Sequence, residues 1–245
     1  MSYFNIIKLD ATPSSNDWLK AQMMRGKCKD RDVVWVKNQT HGRGQINKKW
    51  VSEEGKSLTF SIFKLFPELT AQNFFLINCA VSFAIVSALK DLAELDLKVK
   101  WPNDILSGRK KIAGILIENM LQGSRINSSV IGVGINVNQN YLHGLPHASS
   151  LSIELEKEID IAKLLDVILK YLQTGLDRLS DHDAFDLIRD YENLLFRKEI
   201  LSKFKDKSGK FRGIIKGVTP RGLLKVASPS GKLTHYATGN IEMIH

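Results

Sequence analysis

Lys100-Trp101-Pro102-Asn103-Asp104, followed after a short polar turn by Lys110-Lys111-Ile112-Ala113-Gly114-Ile115-Leu116-Ile117-Glu118, decides how the rest of the chain is read. A residue before proline is pushed out of the helical region, so Pro102 makes Trp101 extended, and Ser107-Gly108 supplies a turn. The stretch therefore reads as a tight hairpin with Asp104 and Lys111 toward its opposite ends. Along the second arm Ile112, Gly114 and Leu116 share one face and Ala113, Ile115 and Ile117 the other, so both faces are expected to be covered. The lysine then stands at the lip of an apolar slot, where it can meet an anion.

Upstream, Gln39-Thr40-His41-Gly42-Arg43-Gly44-Gln45-Ile46-Asn47-Lys48-Lys49-Trp50 alternates glycine with arginine and ends on tryptophan. Glycine lets backbone N–H groups approach an anion closely, and the guanidinium fork matches phosphate or carboxylate oxygens. The run is built like a phosphate clamp, although a flexible basic surface loop has the same composition. His41 reads as a loop residue. Glycines and charged residues bury little surface alone, so the stretch from Gly42 to Lys48 is expected to be mobile until it orders over a phosphate.

The 245 residues are 43% hydrophobic and 25% charged, enough for one large core, or one large domain and a small one. Apolar runs are broken by polar residues before they reach membrane-spanning length, and no basic-then-apolar leader opens the chain, so a soluble cytoplasmic protein is expected. Cys28 and Cys79 form neither a metal-ligand spacing nor a disulfide framework, and Cys79, in an apolar run, reads as core. The formal charge of +9 suits an anionic substrate, an acidic partner or a nucleic acid, but the lysines are scattered. Finger-type Cys/His spacing, RNA-binding aromatic signatures and an N-terminal helix-turn-helix are not found.

Strands are expected at Phe4 to Leu9, Val33 to Lys37, Ser57 to Phe63 and Val130 to Val137, the last with glycines that mark close approach of a backbone or ligand. Thr12-Pro13-Ser14-Ser15-Asn16 supplies caps for a helix starting near Asp17, and Ala71 to Leu89 reads as a core helix. Ile159 to Leu195 has helical periodicity. Beyond it, short strands at 200–204, 211–217, 223–227 and 233–237 are separated by Lys-Ser-Gly, Pro-Arg-Gly and Pro-Ser-Gly, a spacing expected of a small barrel. The boundary is placed near Leu195, giving segments 1–195 and 196–245.

Taken together, these residues resemble a biotin protein ligase over nearly the whole chain. Thr12 to Asn16 resembles the family's Ser-Thr-Asn biotin-contact motif, and Gly42-Arg43-Gly44 through Trp50 its adenylate-binding loop. Lys100 to Asp104 with Lys111-Ile112-Ala113-Gly114 resembles its catalytic hairpin, and Val133-Gly134-Ile135-Asn136 a further strand. The resemblance implies an α+β fold: a mixed sheet flanked by helices, of the class II aminoacyl-tRNA synthetase and biotin ligase type, with a C-terminal SH3-like barrel. Two departures stand out: Gln45 replaces a second arginine that helps retain the activated intermediate in many relatives, and Asn47 replaces a glycine. The chain resembles the monofunctional members, without the DNA-binding domain of bifunctional ones.

The activity implied is ATP-dependent: biotin is activated as biotinyl-5'-AMP and then transferred to the acceptor lysine of a biotin carboxyl carrier domain of a carboxylase. By the same resemblance Lys111 and Arg43 are the cations of activation and Asp104 serves the acceptor amine. Ser14, Ser15, Asn16, Gln39, Gly42, Arg43, Lys111, Gly114 and Gly134 contact biotin. Gly42, Arg43, Gly44, Gln45, Trp50, Asn103, Lys111 and Asn136 contact ATP or the adenylate, with Lys48 as a helper. Mg2+ rides mainly on ATP phosphates, and no protein metal ligands are expected. Asp104 as a turn cap, the serines as helix caps and Trp50 as core are the plainer readings. The rival functions are a lipoate or octanoate ligase or transferase, and a basic nucleic-acid-binding module. Neither DNA nor membrane is an expected partner, and the protein is expected to be a monomer or homodimer.

Overall fold

The hairpin forms one flank of a seven-stranded sheet ordered β1-β2-β3-β7-β6-β5-β4. The computed structural model describes residues 3–46, 48–140, 142, 144–179 and 184–244. Strand β1 (Asn5–Thr12) runs parallel to β2 (Asp32–Gln39), joined by helix α1 (Ser15–Met24). Every other neighbour is antiparallel: β3 (Ser57–Leu65), β7 (Arg125–Asn136), β6 (Lys110–Gln122), β5 (Asp104–Ser107) and β4 (Leu97–Lys100). The sheet is thus mixed, as expected.

Strand alternation divides the sheet into a core face and a working face. Ile131, Val133 and Ile135 of β7, with Leu58, Phe60 and Ile62 of β3, pack into the main hydrophobic cluster beneath α2 (Phe74–Leu92) and α4 (Ile161–Asp177). On the other face α1 covers Val34, Val36, Phe63 and Val130 with Leu19. Gly132 and Gly134, between the apolar residues of β7, present no side chain on that face. Helix α2 is preceded by a 3-10 turn, and together they form an apolar segment, Ala71–Leu92, long enough to cross a membrane but mostly buried within the protein. Reading apolar runs by interruption missed it, since Asn78 and Ser82 are themselves buried in the helix.

The helical stretch after Ile159 resolves into α4 and α5 (Ala184–Asn193), with 180–183 outside the described residues. A short α3 (Leu151–Leu155) precedes them. The C-terminal strands β8 (Leu201–Asp206), β9 (Gly209–Val218), β10 (Leu224–Ala227), β11 (Leu233–Tyr236) and β12 (Ile241–Ile244) form a five-stranded antiparallel sheet ordered β11-β10-β9-β8-β12. Among the described residues it does not close into a barrel, and β12 was not foreseen. The main cluster continues from Tyr191, Leu194 and Leu195 into Phe204, Ile215 and Leu224, so the expected boundary at 195/196 crosses continuous packing.

Candidate active site

A cleft of about 590 Å³ lies between the working face, the glycine-rich loop and the second sheet. Its floor is Gly114, Gly132 and Gly134, and side chains stand where their Cβ atoms would be. A Cβ on Gly132 would collide with Asn16, one on Gly134 with the Trp50 indole, and one on Gly114 would lie 3.2 Å from both Trp50 and Lys111 Nζ. Here glycine admits something close to the backbone.

One end of the cleft is polar. Ser15, first residue of α1, donates to Gln39 Oε1 from its backbone N at 2.8 Å and from Oγ at 3.0 Å. Ser61 Oγ lies 2.7 Å from Ser15 Oγ and 2.6 Å from Asn16 Oδ1. Ser14 Oγ accepts from Asp17 N at 3.4 Å, so it caps the helix while lining the cleft. Parallel pairing of Thr12 with Gln39 brings these residues together, because it sets the start of α1 beside the end of β2.

Asp104 and Lys111 meet farther along, with Oδ1 and Nζ 2.6 Å apart. They are not at opposite ends of the hairpin. Asp104 pairs with Gly114 and Ile105 with Ala113, but Leu106 pairs with Lys111, so Ile112 is an extra residue in β6. That bulge shifts Lys111 from the parity it would otherwise have onto the face of Gly114, while Ile112 and Ala113 both enter the core. Lys111 is also held by its backbone: its N–H donates to His147 O at 2.7 Å, and its carbonyl accepts from Ser149 N at 2.9 Å.

The turn ahead of Asp104 is fastened from several sides. The Trp101-Pro102 peptide is cis, and Pro102 O accepts from Asn78 Nδ2 at 2.7 Å and Tyr191 OH at 2.8 Å. Trp101 Nε1 donates to Gly222 O of the second sheet at 2.9 Å, and Asn103 bonds Ile115 through both side chain and backbone. Asn103 lines the cleft. Lys100, opposite Asp104 across the strand pair, also lines it; burial lowers its pKa, with Asp104 acting in the other direction. Lys100 opens the motif that marks the hairpin, and its place in the cleft comes from the pairing of β4 with β5.

Three expected site residues are engaged by the protein itself. Arg43 lines the cleft, but its guanidinium is taken up by carboxylates: Nη2 is 2.7 Å from Asp17 Oδ1 and 2.9 Å from Glu118 Oε2. Opposite charges this close hold it in place, as Asp104 holds Lys111. Asn136 does not line the cleft; its amide donates to Ser149 O at 3.0 Å and accepts from Gln139 Nε2 at 3.1 Å, supporting the segment that clamps Lys111. Trp50, assigned to the nucleotide, stands on the biotin-set glycines, with a buried Nε1 that has no protein partner.

Gly42 sits behind the cleft wall, where a Cβ would strike Trp50 O. Gly44, Gln45 and Lys48 line the cleft, and Asn47 lies outside the described residues. Of the loop's charged residues, Arg43 is held by ion pairs to Asp17 and Glu118. Sequence reading also missed Gly132, although a glycine within an apolar strand was the signal, and it missed the wall from the second sheet, which includes Phe204, Ile215 and Glu242. Among the described residues no group of His, Cys, Asp and Glu is arranged to hold a metal ion.

Relatives share both the sequence pattern and this architecture. The chain is 27% identical over 223 residues to the bifunctional ligase/repressor BirA of Bacillus subtilis, covering 89% of this chain and 68% of that protein. It is 26% identical over 220 residues to the biotin–[acetyl-CoA-carboxylase] ligase of Paracoccus denitrificans, covering 81% and 86%. The biotin protein ligase of Aquifex aeolicus, solved with biotin and ATP, superposes with a TM-score of 0.81 at 23% identity over 98% of this chain and 99% of that one. The family model of the biotin/lipoate A/B protein ligases matches residues 9–136, from within β1 to the end of β7 and more than half of the 245 residues, and the chain belongs to that family.

Proposed function

We propose that this protein is an ATP-dependent biotin protein ligase, which activates biotin as biotinyl-5'-AMP and transfers it to the acceptor lysine of a carboxylase's biotin carboxyl carrier domain. The observation that carries this is the Lys111–Asp104 pair, set in one cleft with the Ser15–Gln39 hydrogen-bonding end. A bicyclic ureido head buries a carbonyl and N–H groups that need partners, and serine hydroxyls with a glutamine amide offer both kinds. A linear acyl chain, as in the lipoate or octanoate reading, would leave that polar end unmatched.

In the first step a carboxylate oxygen forms a bond to the α-phosphorus while the bond to pyrophosphate breaks. Two anions must approach, and the Lys111 ammonium beside them offsets the charge that builds up. Mg2+ carried on the ATP phosphates would neutralise the departing pyrophosphate, since no group of His, Cys, Asp and Glu among the described residues is arranged to hold it. In the second step a neutral amine attacks the acyl carbon and AMP leaves. An amine with an ordinary pKa of about 10.4 arrives protonated, so a carboxylate that orients it and takes its proton is needed, and Asp104 is that group.

Residues 1–195 form the ligase unit and 196–245 a cap that walls the cleft. The protein works in the cytoplasm as a monomer or homodimer, with neither DNA nor membrane as partner. Calorimetry with biotin and with lipoate tests the substrate. Binding of biotin, tightened by ATP, is expected; binding of lipoate and none of biotin would overturn the assignment.

A further inference from the structure

The loop from Gly42 to Trp50 is a strap, pinned at its root by ion pairs. Its stem closes on itself through Gly44 N to Lys48 O at 2.6 Å, Trp50 N to Gly42 O at 2.9 Å and a bridge between Arg43 and Lys49. At its root Arg43 Nη2 is shared by Asp17 of α1 and Glu118 of β6, at 2.7 Å and 2.9 Å. Lys20 bonds the same two carboxylates at 3.0 Å and 2.8 Å, and Asn16 Nδ2 donates to Glu118 at 2.8 Å. At its tip Ile46 rests on the second sheet's last turn, its Cδ1 2.9 Å from where a Cβ on Gly239 would stand. Ile46 has φ +52°, a left-handed conformation that a β-branched residue disfavours.

The cluster at the root contains two cations and two carboxylates from three separate elements. Within it Arg43 pins the strap between α1 and β6. Gln45, which lines the cleft beside Lys48 and Lys49, carries no charge of its own to grip a phosphate.

We propose that Asp17 and Glu118 are positioning residues which, through Arg43, keep the strap fastened and so set how long the reactive acyl-adenylate is retained before an acceptor arrives. This rests on the ligase reading above. Neither carboxylate belongs to the reacting groups, so loosening the strap should change retention far more than activation.

The test uses the full chain and the double variant Asp17→Asn/Glu118→Gln, with Glu199→Gln, an ion-pair partner of Lys216 on the second sheet, as a control for lost charge. Two rates are read. The first is trypsin cleavage of the ligand-free protein at Arg43, Lys48 and Lys49. The second is release of biotinyl-adenylate formed in place from biotin and ATP. In the double variant both are expected to rise about tenfold, the size of several part-exposed ion pairs acting together, while the rate of adenylate formation stays within about twofold. Arg43→Lys, which keeps the charge but loses the fork, should fall between the wild type and the double variant, and it serves as the second variant if the first is unfolded in urea titrations. Unchanged cleavage, or faster cleavage with unchanged release, overturns the proposal. Wild-type protein that forms no adenylate overturns the ligase reading and retention with it, while the cleavage rates still decide whether the strap is fastened.

Discussion

Lys111 reaches Asp104 because Ile112 is an extra residue in its strand, a detail of register that composition cannot express. The types and the order of Ser15, Gln39, Asp104 and Lys111 were legible, since each sits in a short local motif. The partners of Arg43 were not, because Glu118 is 75 residues away and no local pattern links them. Burial pushes the Glu118 carboxyl up, but hydrogen bonds from Lys20, Asn16 and Arg43 outweigh it and hold the pKa below the usual 4.5. A carboxyl depressed in the folded state contributes stability above its unfolded value and loses it as the pH falls through the lower folded one. Glu118→Gln is therefore expected to be about 0.5–1 kcal/mol less stable than wild type above pH 4.5 and to converge with it at more acid pH, read by urea unfolding across that range. A constant difference down to the lowest pH would show that the charge is not responsible.

At the scale of elements, alternation and caps did most of the work. The valines and isoleucines of β7 entered the core and its glycines the cleft, as period-two reading requires. Two short elements escaped: α3 has five residues, and β12 has four and follows the last glycine-marked turn read as a strand separator. Glu154 of α3 accepts from Ser107 and Ser149 at 2.6 Å each, joining β5 to the segment that clamps Lys111. The Pro102 carbonyl, with donors from both α2 and α5, links two elements to one turn. Tyr191→Phe and Asn78→Ala should each cost about 1 kcal/mol by loss of one hydrogen bond. Since they share an acceptor, the double variant should depart from the sum by about 0.5 kcal/mol or more, measured as a double-mutant cycle in denaturant. Strict additivity would mean that the carbonyl does not couple the two helices.

For the whole molecule, the fold class and the order of its parts could be read from the sequence, and the way the parts join could not. Turn signals at Gly209, Gly222 and Gly231 gave the strands of the second sheet, but an SH3-like unit was expected as a small barrel of its own. Phe204 and Ile215 instead share the main cluster with Tyr191 and Leu195, and also wall the cleft. Phe204 is 1% exposed, and Phe204→Ala should cost about 3–5 kcal/mol while the chain still unfolds in a single transition. Two separate transitions, with the first confined to the C-terminal sheet, would show that the sheets fold independently.

The most direct measurement separates the two chemical steps. Adenylate formation from biotin and ATP, and transfer from supplied biotinyl-adenylate to a carrier domain, are followed for Lys111→Ala and Asp104→Ala. Lys111→Ala is expected to lower adenylate formation at least about a hundredfold, the cost of removing a group that meets developing charge. Asp104→Ala is expected to slow transfer about a hundredfold or more while formation is far less affected. Equal loss of both steps in both variants, or biotinyl-adenylate formed at the wild-type rate without Lys111, would contradict the division of labour assigned to this pair.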